Sequence, residues 1–230
     1  MADVHTQDGN TSCGFVALIG APNAGKSTLL NGLVGSKVSI ISHKVQTTRA
    51  LIRGIAVEGQ SQLIFVDTPG IFSPRRRLDR AMVTTAWSGA HEADLVGVLI
   101  DSRKGLEEEA DSILARLGDV KPPKLLILNK VDLIPKEKLL TLVSQFDGRA
   151  DFEEIYMISA TTGDGVAELK AALAARVPEG PWHFPEDQVS DASDRMMAAE
   201  GVGRSKRAAE QAAAAAMLTH EGVKSERLDG

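Results

Sequence analysis

The chain has 230 residues, 43% hydrophobic and 25% charged, with a formal net charge of −5 and a sequence pI of about 5.6. That is the make-up of a soluble globular protein with room for one good-sized domain and a fragment of a second, and it supplies no overall positive field to draw nucleic acid. The single cysteine, Cys13, excludes an internal disulfide and fits a reducing compartment, and no apolar run approaches the length of a membrane-spanning helix.

Taken in order, residues 1–13 are mostly polar and read as a disordered tail, neither a signal nor a transit peptide. Phe15–Ile19 is a short apolar run suited to a buried strand. It leads into Gly20-Ala21-Pro22-Asn23-Ala24-Gly25-Lys26-Ser27, the phosphate-loop pattern G-x-x-x-x-G-K-[ST], and Thr28 opens a helix. A phosphate chain can be wrapped only by inward-pointing N–H groups, and terminal glycines permit that backbone. The helix N-terminus adds its dipole, so the run from Gly20 to Thr28 forms a candidate phosphate cradle. Lys26 is placed to reach the β- and γ-phosphates, and the Ser27 hydroxyl to ligate Mg²⁺.

Val34–Arg49 has polar clusters and no period, and reads as a functional loop. Within it Thr48, or its neighbour Thr47, is the candidate that completes a Mg²⁺ shell when a γ-phosphate is present. Ala50–Val57 and Gln62–Val66 read as an antiparallel hairpin. Asp67-Thr68-Pro69-Gly70-Ile71 follows the second strand. Asp67 is a candidate Mg²⁺ ligand and the Gly70 N–H a candidate γ-phosphate donor. Ile71 stands where many small GTPases carry a water-orienting glutamine, so intrinsic hydrolysis should be slow. Arg75-Arg76-Arg77 lies in a basic loop that fits RNA contact and simple solvation about equally.

Asp79–Ala90 reads as helix, Leu95–Ile100 as a buried strand, and Leu106–Leu117 as an acidic amphipathic helix. Lys124–Leu128 is another buried strand. It ends in Asn129-Lys130-Val131-Asp132, where a carboxylate at Asp132 can accept from guanine N1–H and the exocyclic amine. Adenine offers neither donor there, and each charged hydrogen bond lost costs about 1.5–3 kcal/mol. Asn129 would brace the loop and the Lys130 stem cover the base. Pro135–Phe146 reads as a helix with proline at its first position. Ile155–Ile158 is the last strand. It ends at Ser159-Ala160, where the Ala160 N–H would meet guanine O6, and Asp164 is expected to cap a helix over Gly165–Arg176.

Apolar strands alternating with helices predict an α/β fold of the P-loop NTPase kind. The expected core is a mostly parallel six-stranded sheet with one antiparallel edge strand and helices on both faces. Gly20, Asp67, Asn129 and Ser159 all sit at carboxyl ends of strands, so they should converge on one composite site. Residues 178–185 read as a linker. Beyond it Gly201–Ala216 is poor in large apolar residues and contains Ala212–Ala216.

Gly20–Ser27, Gln46-Thr47-Thr48-Arg49, Asp67–Gly70, Asn129–Asp132 and Ser159-Ala160 resemble, in order and spacing, the five motifs of the Era GTPases, most closely those of alphaproteobacteria. Trp182–Asp191 is similar to the entry into that family's KH domain. The resemblance implies a G domain over 14–177 and a partial KH-like α+β segment over 186–230. It implies Mg²⁺-dependent conversion of GTP to GDP, with Lys26, Thr48 and Gly70 catalytic and Ser27, Thr48 and Asp67 on the metal. It implies action in assembly of the 30S subunit, at the 3′ region of 16S ribosomal RNA. A cytoplasmic monomer, peripherally associated with the inner membrane, is implied as well. No G-x-x-G occurs from Pro181 onward, so weak RNA binding is expected of this chain. Two other readings stay open: a GTP-sensing module with negligible hydrolysis, and a GTPase of transfer RNA or the large subunit.

Overall fold

A computed structural model describes residues 11–35, 52–66, 68, 70, 71 and 77–184, with the side chains of 77–82 left out. The chain divides into two units. One holds residues 1–35 and 40–183; the second, 36–39 and 184–230, lies almost wholly outside the described residues, and with it the expected KH-like segment.

The first unit runs β1 (Ser12–Gly20), α1 (Lys26–Val34), β2 (Ile52–Glu58), β3 (Ser61–Val66), α2 (Arg77–Glu92), β4 (Leu95–Asp101), α3 (Glu108–Arg116), β5 (Lys124–Asn129), α4 (Lys136–Phe146), β6 (Glu154–Ile158) and α5 (Val166–Ala174). The strands form one six-stranded sheet in the order β2-β3-β1-β4-β5-β6. Only the β2–β3 pair is antiparallel, turned through Gly59-Gln60; every other pair is parallel. β4 and β5 are buried at every position, as strands covered on both faces must be.

Alternate residues of the central strands point to opposite faces. Ala17, Ile19, Val98, Ile100, Leu126 and Leu128 pack with Val83 and Trp87 of α2, Ile113 and Leu114 of α3, and Phe146 of α4 in one cluster. The other face is covered by α1 and α5, which touch each other and bury Leu29, Leu33, Leu169 and Leu173. β1 and β4 are neighbours from which the chain departs in opposite directions, toward β3 and toward β5. This makes their carboxyl ends the switch point where α/β sheets bind ligands.

Boundaries differ from the sequence reading at several points. The tail expected over 1–13 gives way at Ser12, because Ser12 and Cys13 pair with Ser61 and Gln62 of β3. The linker expected from 178 is fastened to that same strand end. Cys13 N–H donates to Pro178 O at 3.0 Å, Gly180 N–H to Thr11 O at 2.9 Å, and Thr11 Oγ1 to Gly180 O at 2.9 Å. Trp182 Nε1 donates to Gln60 O at 2.9 Å in the hairpin turn. These partners are remote in sequence, so no local pattern announces them. Finally, α5 is capped by Gly165 at φ 71 rather than by Asp164, whose carbonyl accepts from Ser159 N–H at 2.9 Å. Arg77, expected in the basic loop, opens α2, and Pro135 is the N-cap of α4 rather than its first residue.

Candidate nucleotide-binding site

β1 ends at Gly20 and the loop Ala21–Gly25 delivers the chain to the N-terminus of α1. Among the described residues no side chain caps that helix, which leaves its first-turn N–H groups uncapped, as an anion site requires. The loop is drawn tight against its neighbours. A Cβ at Gly20 would stand 2.5 Å from Leu99 O, and one at Gly25 2.2 Å from Asn129 Nδ2, so only glycine admits the approach. Lys26 is folded back over the loop, Nζ donating to Gly20 O at 2.9 Å and Ala21 O at 3.0 Å, and burial lowers its pKa to about 8. Ser27 and Thr28 are exposed on the first turn of α1, with the Ser27 hydroxyl open to a ligand.

Thr68 is buried at the end of β3, its hydroxyl donating to Leu18 O. Gly70 lies against the phosphate loop, where a Cβ would stand 3.3 Å from the Pro22 backbone. Ile71, which the sequence reading set at the position of the water-orienting glutamine, is a core residue. It is 3% exposed in the α2–α3 cluster and its N–H donates to Gly20 O at 3.0 Å. An aliphatic side chain next to the apolar face of α2 gains more from burial than from facing water. Asp67, Pro69, Thr47, Thr48, Arg75 and Arg76 lie outside the described residues.

On the far side, Asn129 is 1% exposed and fully engaged: Nδ2 donates to Ala24 O at 2.8 Å and Oδ1 accepts Ala160 N–H at 2.9 Å. It thus ties the phosphate loop, the β5 end and the β6 end together. The Ala160 amide, expected to meet guanine O6, is held by this bond in the present arrangement, which satisfies a buried amide side chain. Ser159 is buried, its Oγ accepting Thr162 N–H at 3.2 Å. Lys130 takes a left-handed φ of 66, and its Nζ donates to Asn23 O at 2.6 Å. Asp132 is exposed in the short 3₁₀ turn Val131–Leu133, and its carboxylate accepts no hydrogen bond among the described residues.

The sequence reading missed Asp101, the last residue of β4, whose Oδ2 meets Lys130 Nζ at 2.7 Å. Its side chain is 5% exposed. Burial alone would raise the carboxyl, but hydrogen bonds from Arg103 and Lys130 outweigh it and hold the pKa at about 2. The available signal was an acid closing an otherwise unbroken apolar strand. Among the described residues no group of three or more His, Cys, Asp or Glu could hold a metal, and no helix is long and apolar enough to cross a membrane.

Comparison with known proteins agrees with this geometry. Residues 15–130 match the family model described as 50S ribosome-binding GTPase. The chain is 65% identical over 200 residues to GTPase Era of Bradyrhizobium sp. strain BTAi1, covering 86% of this chain and 65% of that protein. With GTPase Era of Rhizobium meliloti it shares 60% over 190 residues, 83% of this chain and 61% of the relative. The chain therefore spans about 65% of the length of the curated relatives it matches first. An Aquifex aeolicus Era variant solved with GDP and AlF₄⁻ superposes with a TM-score of 0.67 at 37% identity, covering 82% of this chain and 65% of that one. Era solved with MgGDPNP and nucleotides 1506–1542 of 16S ribosomal RNA gives a TM-score of 0.67 at 35% identity, over 85% of this chain and 69% of that one. Sequence, sheet order and site geometry converge with these matches: the chain belongs to the Era family of GTPases.

Proposed function

We propose that the chain binds Mg²⁺ and GTP at the carboxyl ends of β1, β3, β5 and β6, hydrolyses GTP to GDP and phosphate, and thereby acts as a switch in assembly of the small ribosomal subunit. The observation that carries the reading is the double tie between phosphate loop and base loop, Asn129 to Ala24 and Lys130 to Asn23, at 2.8 and 2.6 Å. These direct hydrogen bonds hold two loops about 105 residues apart in sequence side by side, so that both can face one nucleotide, and the uncapped start of α1 fits its phosphates.

In this reading the Lys26 ammonium turns from the Gly20 and Ala21 carbonyls toward the β- and γ-phosphates. The exposed Ser27 hydroxyl, with Asp67 and Thr48, would hold Mg²⁺, which when bound neutralises charge on the β- and γ-oxygens. Gly70 approaches the phosphate loop closely enough to offer its N–H to the γ-phosphate. Asp132, open at the rim, reads the guanine edge. The same proposal takes from the Era resemblance a role at the 3′ region of 16S ribosomal RNA, with only weak binding there expected of a sequence that carries no G-x-x-G from Pro181 onward. It also takes a cytoplasmic monomer with peripheral contact at the inner membrane. Relatives solved with GDP and AlF₄⁻, and with MgGDPNP and 16S ribosomal RNA, support it.

One observation favours a second reading, a GTP-sensing module with negligible hydrolysis. With Ile71 in the core, the side chain directly after Gly70 cannot orient water. Single-turnover phosphate release from GTP separates the two. Slow, Mg²⁺-dependent release lost in Lys26→Ala is the expected result. GTP bound without release beyond the buffer rate selects the sensor, and absence of GTP binding overturns both. Asp132→Asn should move preference toward xanthosine nucleotides, whose carbonyl replaces the guanine amine. Capture of small-subunit particles in GTP but not GDP checks the assembly role.

A further inference from the structure

We propose that Asp101 is a positioning residue: its carboxylate, clipped in place by Arg103, holds the Lys130 ammonium against the phosphate loop and so sets guanine-nucleotide affinity. The proposal rests on the GTP site described above. β4 is buried at all seven positions and brings Asp101 to the carboxyl edge of the sheet in register with Asn129 of β5. Ser102 N–H then donates to Asn129 O at 2.9 Å, so the end of β4 and the base loop move as one piece.

The two carboxylate oxygens divide the work. Oδ1 accepts Arg103 N–H at 3.1 Å and Arg103 Nε at 3.0 Å, closing the turn that leaves β4. Oδ2 accepts Arg103 Nη2 at 2.7 Å and Lys130 Nζ at 2.7 Å. The first set is structural. The second faces the site, because the same Nζ donates to Asn23 O in the phosphate loop. Without a fixed anion the Lys130 stem loses its anchor across the base position, and a non-glycine residue at φ 66 carries strain that its surroundings must hold in place. A long lysine side chain also gives up rotamer freedom when it is held; Asp101 and Asn23 take up that ordering before the nucleotide arrives.

The geometry selects its own test. In Asp101→Asn the retained Oδ1 can still close the turn with the Arg103 N–H, while the amide nitrogen replacing Oδ2 presents a donor to the Lys130 ammonium. GDP affinity should weaken by about tenfold, the loss expected for a charge-assisted hydrogen bond, and GTP affinity should weaken alike. Phosphate release at saturating GTP should fall by less than the affinity does. In a Lys130→Met background the same substitution should change GDP affinity by less than about twofold, since coupled residues are not additive. Arg103→Ala frees the carboxylate to turn and should cost about threefold, again only when Lys130 is present. A parent that binds no GDP fails the GTP-site reading itself. A parent that binds GDP overturns this proposal alone if folded Asp101→Asn binds GDP like the parent, or loses as much in the Lys130→Met background. Should Asp101→Asn fail to fold, unchanged GDP affinity in Arg103→Ala overturns it.

Discussion

Lys26 shows how one residue carries information about the site. With its ammonium folded onto Gly20 O and Ala21 O and its pKa lowered by burial to about 8, it is near titration in the free protein. Phosphate favours the charged form, so nucleotide binding takes up a proton once the free lysine has lost one. GDP affinity should be level below pH 8 and fall toward about tenfold per pH unit above it. Calorimetry in buffers of different ionisation enthalpy reads that proton directly; affinity unchanged to pH 9.5 would sink the idea. The sign for stability is opposite in sense: between about 8 and 10.5 the unfolded chain holds the extra proton, so this group's contribution to stability rises with pH there. The lie of Gly20–Ser27 and Asn129–Asp132 at the ends of β1 and β5 was legible because phosphate and guanine chemistry demand local spacing. Asp101 was not. Its partner lies 29 positions away and reaches it only through the β4–β5 register.

Among elements, strands were read almost to their ends, since burial on both faces leaves an unbroken apolar run. Helix caps were harder. Asp164 is a good N-cap residue by type, yet the chain caps α5 with Gly165, because the tight return from Ser159 demands a left-handed residue there. Gly163 and Gly165 make an internal comparison: both have positive φ, but a Cβ at Gly163 meets nothing within 4 Å, whereas one at Gly165 stands 2.7 Å from Met157 O. Gly163→Ala should cost about 1 kcal/mol of stability from backbone strain alone, and Gly165→Ala roughly twice that because a carbonyl must also move. Urea unfolding of the two variants measures the difference, and equal losses would remove the clash from the account.

At the scale of the whole first unit, a mostly parallel six-stranded sheet with one antiparallel edge strand followed from the alternation of apolar strands and helices, while the strand order β2-β3-β1-β4-β5-β6 came from the structure. What no local pattern could give was the return of residues 178–182 to the start of β1 and to the hairpin turn. That return has a topological consequence. Thr11 and Gly180 exchange two hydrogen bonds of 2.9 Å, so the two ends of the described part of the unit meet. Which residue comes first is then a convention of the gene rather than a requirement of the sheet. A circular permutant that joins Gly180 to Thr11 through a few glycines and opens at Gly148, an exposed turn whose Cβ would touch nothing, should keep one cooperative unfolding transition and parent-like GDP affinity. Its failure to fold would overturn the view that the meeting of Thr11 and Gly180 is all the sheet requires of its ends.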